Sequence, residues 1–452
     1  MKTPFKWLFL SALVLTVLLL AAAFGTHRWV NTDDFRQRVE RDASAALGVP
    51  VVVGSMRVDV WPVPAVALGN LKLLSKPPLT LEQLEVRPDW RALLQGKLVV
   101  VTLVIRKAVL PQQGIDAVLV AMQKKNQASV QALQAAKTAP VTAAKVVITP
   151  EAQPPTDTTQ WLPRRTVFDD VTWVNNAGTS TAIEGEARLS PDALPDSVLL
   201  KVIRGNLIGL RAELTREPHA AGSTAQPDQW ALLVNVGGGK IEGKLGLQRS
   251  TTPAAASTGL AVQGKLQTRG VEVSALTSPN KPLTGLVDAS TTLQSRAATT
   301  EALIDALQTQ TSFNVRDATL HGIDLAKAIQ SAGTNRSGQT KLQTLTGQVS
   351  SKGRALQLSN LVASSGALSA TGNVTVSPQK VLAGKLNANL ANDSKLGGAL
   401  GGGVSVPLIV GGTVEKPDVS VSPSGLLGAA LGTGAGARLG DKLGGLKGLF
   451  GK

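Results

Sequence analysis

Few residue types in this chain could do chemistry. It has three histidines, His27, His219 and His321, far apart in sequence, and no cysteine. A thiolate nucleophile, a disulfide frame and a cysteine-based zinc site are therefore excluded. A histidine–carboxylate metal site would have to be assembled from distant loops. Two adjacent acidic pairs, Asp33/Asp34 and Asp169/Asp170, are the candidates for general acid–base work. The first suits the positive end of a helix. The second lies in a strand, where neighbours point to opposite faces and cannot share a proton. No Gly-x-Ser-x-Gly elbow, Walker loop or His-Glu-x-x-His helix occurs. GGGK at 237–240 lacks the Ser/Thr and second-glycine spacing of a phosphate loop, and GGALGGG at 397–403 reads as a flexible loop. The expectation is a protein that is not an enzyme and holds no cofactor or metal.

The elements that would position any site are β-strands. Only 3% of the 452 residues are aromatic and tyrosine is absent, while glycine (45 residues) and aliphatics abound. Many short strands joined by polar and glycine turns give that profile. The formal charge of +15 favours anionic partners such as nucleic acid or lipid phosphate. Nucleic-acid binding would want aromatic platforms or a basic recognition helix, and neither is evident, so no nucleic-acid partner is expected.

Residues 7–24, WLFLSALVLTVLLLAAAF, carry no charge from Trp7 to Phe24 and follow Lys2 and Lys6. As a helix the run rises about 27 Å, close to a bilayer core. It reads as a retained membrane anchor; a cleaved signal peptide competes, because Ala21 and Ala23 form an A-x-A site. A short amphipathic helix follows over 32–47, with Phe35, Val39, Ala43 and Leu47 on one face and Gly48 as its stop.

From there the period is two. Ile183, Gly185, Ala187 and Leu189 alternate with charged residues, as do Ile241, Gly243, Leu245 and Leu247. Leu368, Ala370, Gly372, Val374 and Val376 alternate with Ser, Thr and Asn. One greasy and one wet face per strand predicts antiparallel sheet. Gly-Lys-Leu recurs at 96–98, 243–245, 264–266 and 384–386, without a fixed period, and reads as turn chemistry at strand starts. Helices are predicted from Ile115 through QASVQALQAAK, over 301–308 and over 323–332. The tail from Pro423 sets leucines among glycines with Arg438, Lys442, Lys447 and Phe450, a basic apolar segment able to lie on an anionic membrane surface. The aliphatic face itself has two readings at this point, the closed core of a sandwich or an open trough for acyl chains.

Several stretches resemble the AsmA family of Gram-negative envelope proteins. DDFRQRVERDASAALGVPVVVGSMRVDVWPVPAVALGNLKL looks like the family's helix, "G-R-P-V" turn and proline-broken strand, with Gly48, Pro50, Gly54 and Pro62 in place and Val49 for the usual arginine. RALLQGKLVVVTLVIRKAVL (91–110) resembles the "L-L-x-G-K" strand through Leu93, Leu94, Gly96 and Lys97. DATLHGIDL (317–325) is similar to "G-x-x-x-G-I-D-L", with Ala318 where glycine is common. VPLIVGGTVEKPDVSVSP (406–423) resembles the closing "P-x-x-V-x-G-T-x-x-x-P". The chain departs after Val109, where a helix and linker replace a family strand, and 160–300 matches in character alone.

The resemblance implies a mainly β protein: an N-terminal transmembrane helix followed by an elongated, curved, largely antiparallel sheet forming an open groove or sandwich. The implied segments are 1–30 (stub and anchor), 31–135 (helix plus β domain with following helix), 136–160 (Ala/Pro-rich linker), 161–422 (β-rich groove region) and 423–452 (basic tail). It also implies an inner-membrane, single-pass protein with its bulk in the periplasm, supporting outer-membrane biogenesis. Its partners would be phospholipid acyl chains and an envelope protein. The groove-lining candidates are Ile183, Leu189, Ile241, Leu245, Leu247, Leu368, Val374 and Val376. The alternative is an assembly factor for outer-membrane proteins that works through exposed strand edges.

Overall fold

A computed structural model describes residues 33–59, 65–89, 91–92, 99–138, 163–218, 227–250, 259–277, 281–297, 300–330, 337–353, 355–366, 368–390, 404–414 and 416–421. The run Trp7–Phe24, most of the 136–160 linker and the tail with Arg438, Lys442, Lys447 and Phe450 lie outside these residues. Among the described residues no helix is long and apolar enough to cross a membrane. The chain divides into two compact units, Met1–Gly209 and Leu210–Lys452, a boundary inside the 161–422 stretch.

The first unit opens with helix α1 (Asp33–Leu47), whose first turn holds Asp33 and Asp34. Gly48 ends it at φ +70°, donating its N–H to the Ser44 carbonyl at 2.9 Å. A β-carbon there would press on the Ala121 backbone at 3.2 Å, so glycine is required twice over. Strands β1 (Val51–Asp59), β2 (Ala65–Leu73), β3 (Leu79–Pro88) and β4 (Val100–Pro111) form an antiparallel meander. Helix α2 (Gln112–Thr138) follows β4 at once and carries the chain back, so β5 (Arg165–Val174) pairs parallel to β4. Strands β6 (Ser180–Leu189) and β7 (Pro195–Arg204) continue antiparallel.

Helix α1 seals the free edge of β1. Ser44 Oγ accepts the Val51 N–H at 2.8 Å, and Glu40 Oε1 accepts that of Val53 at 2.7 Å. Arg36 donates to the Gly54 carbonyl at 3.3 Å. Beneath, Ala43 and Leu47 pack on a core of Val51, Val53, Leu68 and Leu71. Over Val51–Gly54 the edge is thus both bonded and covered, which blocks pairing with a further strand there.

The second unit is a meander of twelve strands, each antiparallel to the next: β8 (Arg211–Arg216), β9 (Asp228–Val236), β10 (Gly239–Ser250), β11 (Gly259–Glu272), β12 (Leu283–Ala297), β13 (Gln308–His321), β14 (Gln339–Lys352), β15 (Ala355–Ser365), β16 (Leu368–Val376), β17 (Leu382–Leu390), β18 (Val404–Gly412) and β19 (Pro417–Val421). The GGGK stretch is the β9–β10 hairpin, with Gly237 and Gly238 at φ +55° and +75° as a two-residue primed turn demands. Three short helices interrupt the meander: α3 (Val273–Leu276), which the periodicity did not disclose, α4 (Thr300–Asp305) and α5 (Leu325–Gln330).

The Gly-Lys-Leu recurrence has a different cause from the one expected. The three described copies lie inside β10, β11 and β17, not in turns. The first two pair with each other, Gly243 opposite Leu266, Lys244 opposite Lys265 and Leu245 opposite Gly264. In the third, Gly384 faces Val374 and Leu386 faces Gly372. A β-carbon on Gly264 would lie 2.6 Å from Leu245 Cδ2, and one on Gly372 2.8 Å from Leu386 Cδ2. Gly264 makes room for Leu245 of the neighbouring strand, whereas Gly243 and Gly384 meet first the close backbone carbonyls of Lys265 and Asn373 and then the side chains of Leu266 and Val374; the lysine of each copy points to the other face. This is face packing.

Candidate functional site

In the second unit, alternation and register sort the side chains into two faces. One row crosses the sheet as Trp230, Leu245, Gly264, Leu293, Thr309, Ser351, Leu356, Val376 and Leu382. The adjacent row runs Leu232, Gly243, Leu266, Thr291, Thr311, Val349, Leu358, Val374, Gly384 and Val410. Six of the eight sequence-selected residues therefore share one face, and Leu245 and Val376 fall in one row although strands β11 to β15 lie between them. Ile183 and Leu189 lie in the first unit, on β6, opposite Val171 and Val202 and opposite Pro195 respectively.

Burial divides this face along the strands. Toward one end it is packed. Val271, Val287, Val315, Leu342, Ala363, Leu368 (6% exposed), Ala388, Val406, Leu408 (1%) and Val421 are buried there. Helix α5 closes that end by packing on both β14 and β19, with Leu325 and Ala328 buried. The buried Thr340 hydroxyl fixes it, accepting from the Leu325 N–H at 2.9 Å and donating to the Ile323 carbonyl at 2.8 Å. Toward the other end Leu245, Leu247, Leu266, Leu293, Val349, Leu358 and Val376 are partly exposed, and Leu356 is 38% exposed. Leu368 and Val374 (9%) thus belong to the packed part and Leu245, Leu247 and Val376 to the open part, while Ile241 lies toward the packed end of β10, opposite Thr268, and is itself partly exposed.

The open part is not the smooth aliphatic surface that composition implies. Strands β12 to β14 place hydroxyls on it, and these bond in pairs across strands: Thr291 with Thr311 at 2.9 Å and Thr309 with Ser351 at 2.7 Å. Pairing satisfies the hydroxyls internally and leaves the threonine methyls for contact. At the β8–β9 margin the face closes on a polar group: Arg216 is paired to Asp228 at 2.5 Å and lies 6.0 Å from the Trp230 ring centroid. A periodicity count sees the leucines but not these hydroxyl pairs, because threonine alternates like any polar residue.

The acidic pair Asp169/Asp170 is divided, though not by regular alternation: Asp170 sits at φ +54° in a β-bulge between Phe168 and Val171. Asp169 pairs with Arg106 at 3.5 Å and Asp170 with Arg204. Among the described residues no three His, Asp or Glu side chains gather as a metal site would need.

A long antiparallel meander with one face part packed and part open is the class of protein this geometry defines: a sheet scaffold that presents area. A model of the AsmA family matches residues 231–357, from β9 into β15. The match takes in the DATLHGIDL motif and the Gly-Lys-Leu pair at 243–245 and 264–266. No curated protein and no solved structure matches the chain.

Proposed function

We propose that this is a non-enzymatic lipid-binding or lipid-transfer protein, anchored in the inner membrane by Trp7–Phe24, with its bulk in the periplasm, where it supports outer-membrane biogenesis. The AsmA family match supports the envelope setting. The observation that carries the lipid reading is the open part of the apolar face, where aliphatic side chains stay partly exposed although the same face is packed further along. An acyl chain laid there would gain roughly 0.8 kcal/mol for each methylene removed from water. Flat-lying leucines over glycines suit an unbranched chain, since they leave no deep individual pockets. The assembly-factor reading has less support, because the β1 edge is already bonded by Ser44 and Glu40.

The test is lipid retention by the full-length chain, purified from membranes and measured by native mass spectrometry, against Leu245→Asp and Leu266→Asp. Both residues are partly exposed, so folding is expected to change little while bound lipid falls severalfold. Wild-type protein without lipid, or variants that retain as much as wild type, would sink the reading.

A further inference from the structure

The polar face of the same sheet carries features that the lipid reading does not use. Two depressions of about 460 and about 1000 Å³ lie side by side there, sharing Gln294, Gln308 and Lys352 in their walls. Their lining comes chiefly from the side chains opposite the aliphatic rows, although Leu293, Thr309, Ser351, Leu356 and Val376 of the first aliphatic row also contribute to the wall of the larger. Register sets these residues in straight lines across the strands. Gln263, Gln294, Gln308 and Lys352 stand directly opposite one another on β11 to β14. The next line runs Thr292, Gln310, Ser350, Gln357 and Thr375 on β12 to β16.

We propose that this ladder is a binding site for a linear, hydroxyl-rich glycan lying across the strands. Each glutamine amide offers two donors and one acceptor oxygen, the combination that pairs with hydroxyls, which also donate and accept. The amides of Gln263, Gln294, Gln308, Gln310 and Gln357 are exposed and make no hydrogen bond to any described residue, so their full capacity faces the depressions. Adjacent strands space such groups about 4.8 Å apart, a regular ladder that matches a ligand of repeating units. Other polymers fit less well. No aromatic residue lines either depression, so nucleic-acid bases have no stacking platform. An extended peptide would add to a strand edge rather than cross a face. Arg296 and Lys352 against Asp305 leave a slight excess of positive charge, which tolerates a neutral chain and disfavours a cationic one.

The experiment is calorimetric titration of the full-length protein with two neutral β-1,4-linked hexasaccharides, chitohexaose and cellohexaose. Saturable binding of at least one is expected, weakened about tenfold in the double variant Gln294→Ala/Gln308→Ala, whose unfolding midpoint should stay at the wild-type value because both side chains are exposed. Leu245→Asp, on the opposite face, should bind the sugar as wild type does, so the glycan site can fail while the lipid reading stands, and the reverse. No saturable binding of either sugar, or undiminished binding by the folded double variant, overturns the proposal.

Discussion

The two stretches of sheet in this chain, β1 to β7 and β8 to β19, solve the same problem, a wet face beside a greasy one, with different chemistry. In the first, the wet face is laced by charge. Glu85 takes Arg87 at 2.7 Å and Arg106 at 3.7 Å, Arg106 also reaches Asp169 at 3.5 Å, and Glu186 sits between Arg165 at 2.7 Å and Arg188 at 2.6 Å. In the second, the rows from Gln263 to Lys352 and from Thr292 to Thr375 are mostly amides and hydroxyls, and the amides of their five glutamines make no hydrogen bond to any described residue. Paired charges satisfy one another and leave a surface little to offer a ligand. Unpaired amides keep their capacity. The second sheet also holds both the packed and the open part of an apolar face, so it combines the features that binding on either side would need.

The largest effect is expected where the second sheet is packed. Leu408 is almost fully buried on β18, in a row with Leu386 and Val421. Leu408→Ala should cost about 2–5 kcal/mol, by lost burial plus the cavity it leaves. Truncating the partly exposed Leu245 in the same way should cost clearly less. Denaturant titrations of both variants decide this, and equal losses would mean that the face is packed throughout.

Much of this second sheet is legible from residue order, for physical reasons. Strand alternation is local, so Ile241, Leu245, Leu247, Leu368, Val374 and Val376 declare a common face without any knowledge of pairing. Burial is not local. Val374 is buried and Val376, two residues on and on the same face, is partly exposed, a difference that no window around β16 contains. The Gly-Lys-Leu motif shows the same limit: the copies on β10 and β11 look like turns until each partner strand sets its leucine opposite the other's glycine. The closure of β1 by Ser44 and Glu40 was likewise hidden, since both residues read as solvent-facing positions of an amphipathic helix.

A middle-sized effect tests whether glycine serves the apolar face alone. A β-carbon on Gly243 would run into the Lys265 carbonyl and come within 2.8 Å of the Leu266 Cα, both backbone atoms. On Gly246, three residues along the same strand and on the polar face, the nearest atom would be Gln263 Cγ at an ordinary 3.6 Å. Gly243→Ala should therefore destabilise by about 1–3 kcal/mol and Gly246→Ala by about 0.5 kcal/mol or less. Thermal unfolding of the two single variants compares them directly. The opposite order would show that the close approach of the β11 backbone does not set the need for glycine at 243.

The smallest effect belongs to the charged face of the first sheet. Hydrogen bonds from Arg165 and then Arg188 hold the Glu186 carboxyl down at about 2, below the ordinary carboxylate range, and raise the guanidinium of Arg165 in turn. A carboxylate with a depressed folded value stabilises fully above its unfolded value, near 4.3, and loses that contribution as pH falls toward 2. The pairs are partly exposed, so water screens them, and Glu186→Gln should cost about 1 kcal/mol or less at neutral pH. The discriminating measurement is the variant's deficit against pH. It should shrink between about pH 4 and pH 2 as the wild-type carboxylate protonates. The Gln294→Ala/Gln308→Ala variant of the second sheet, which removes no charge, should show no such pH dependence, and a deficit for Glu186→Gln that persists unchanged at pH 2 would mean that its side chain acts there by shape and not by charge.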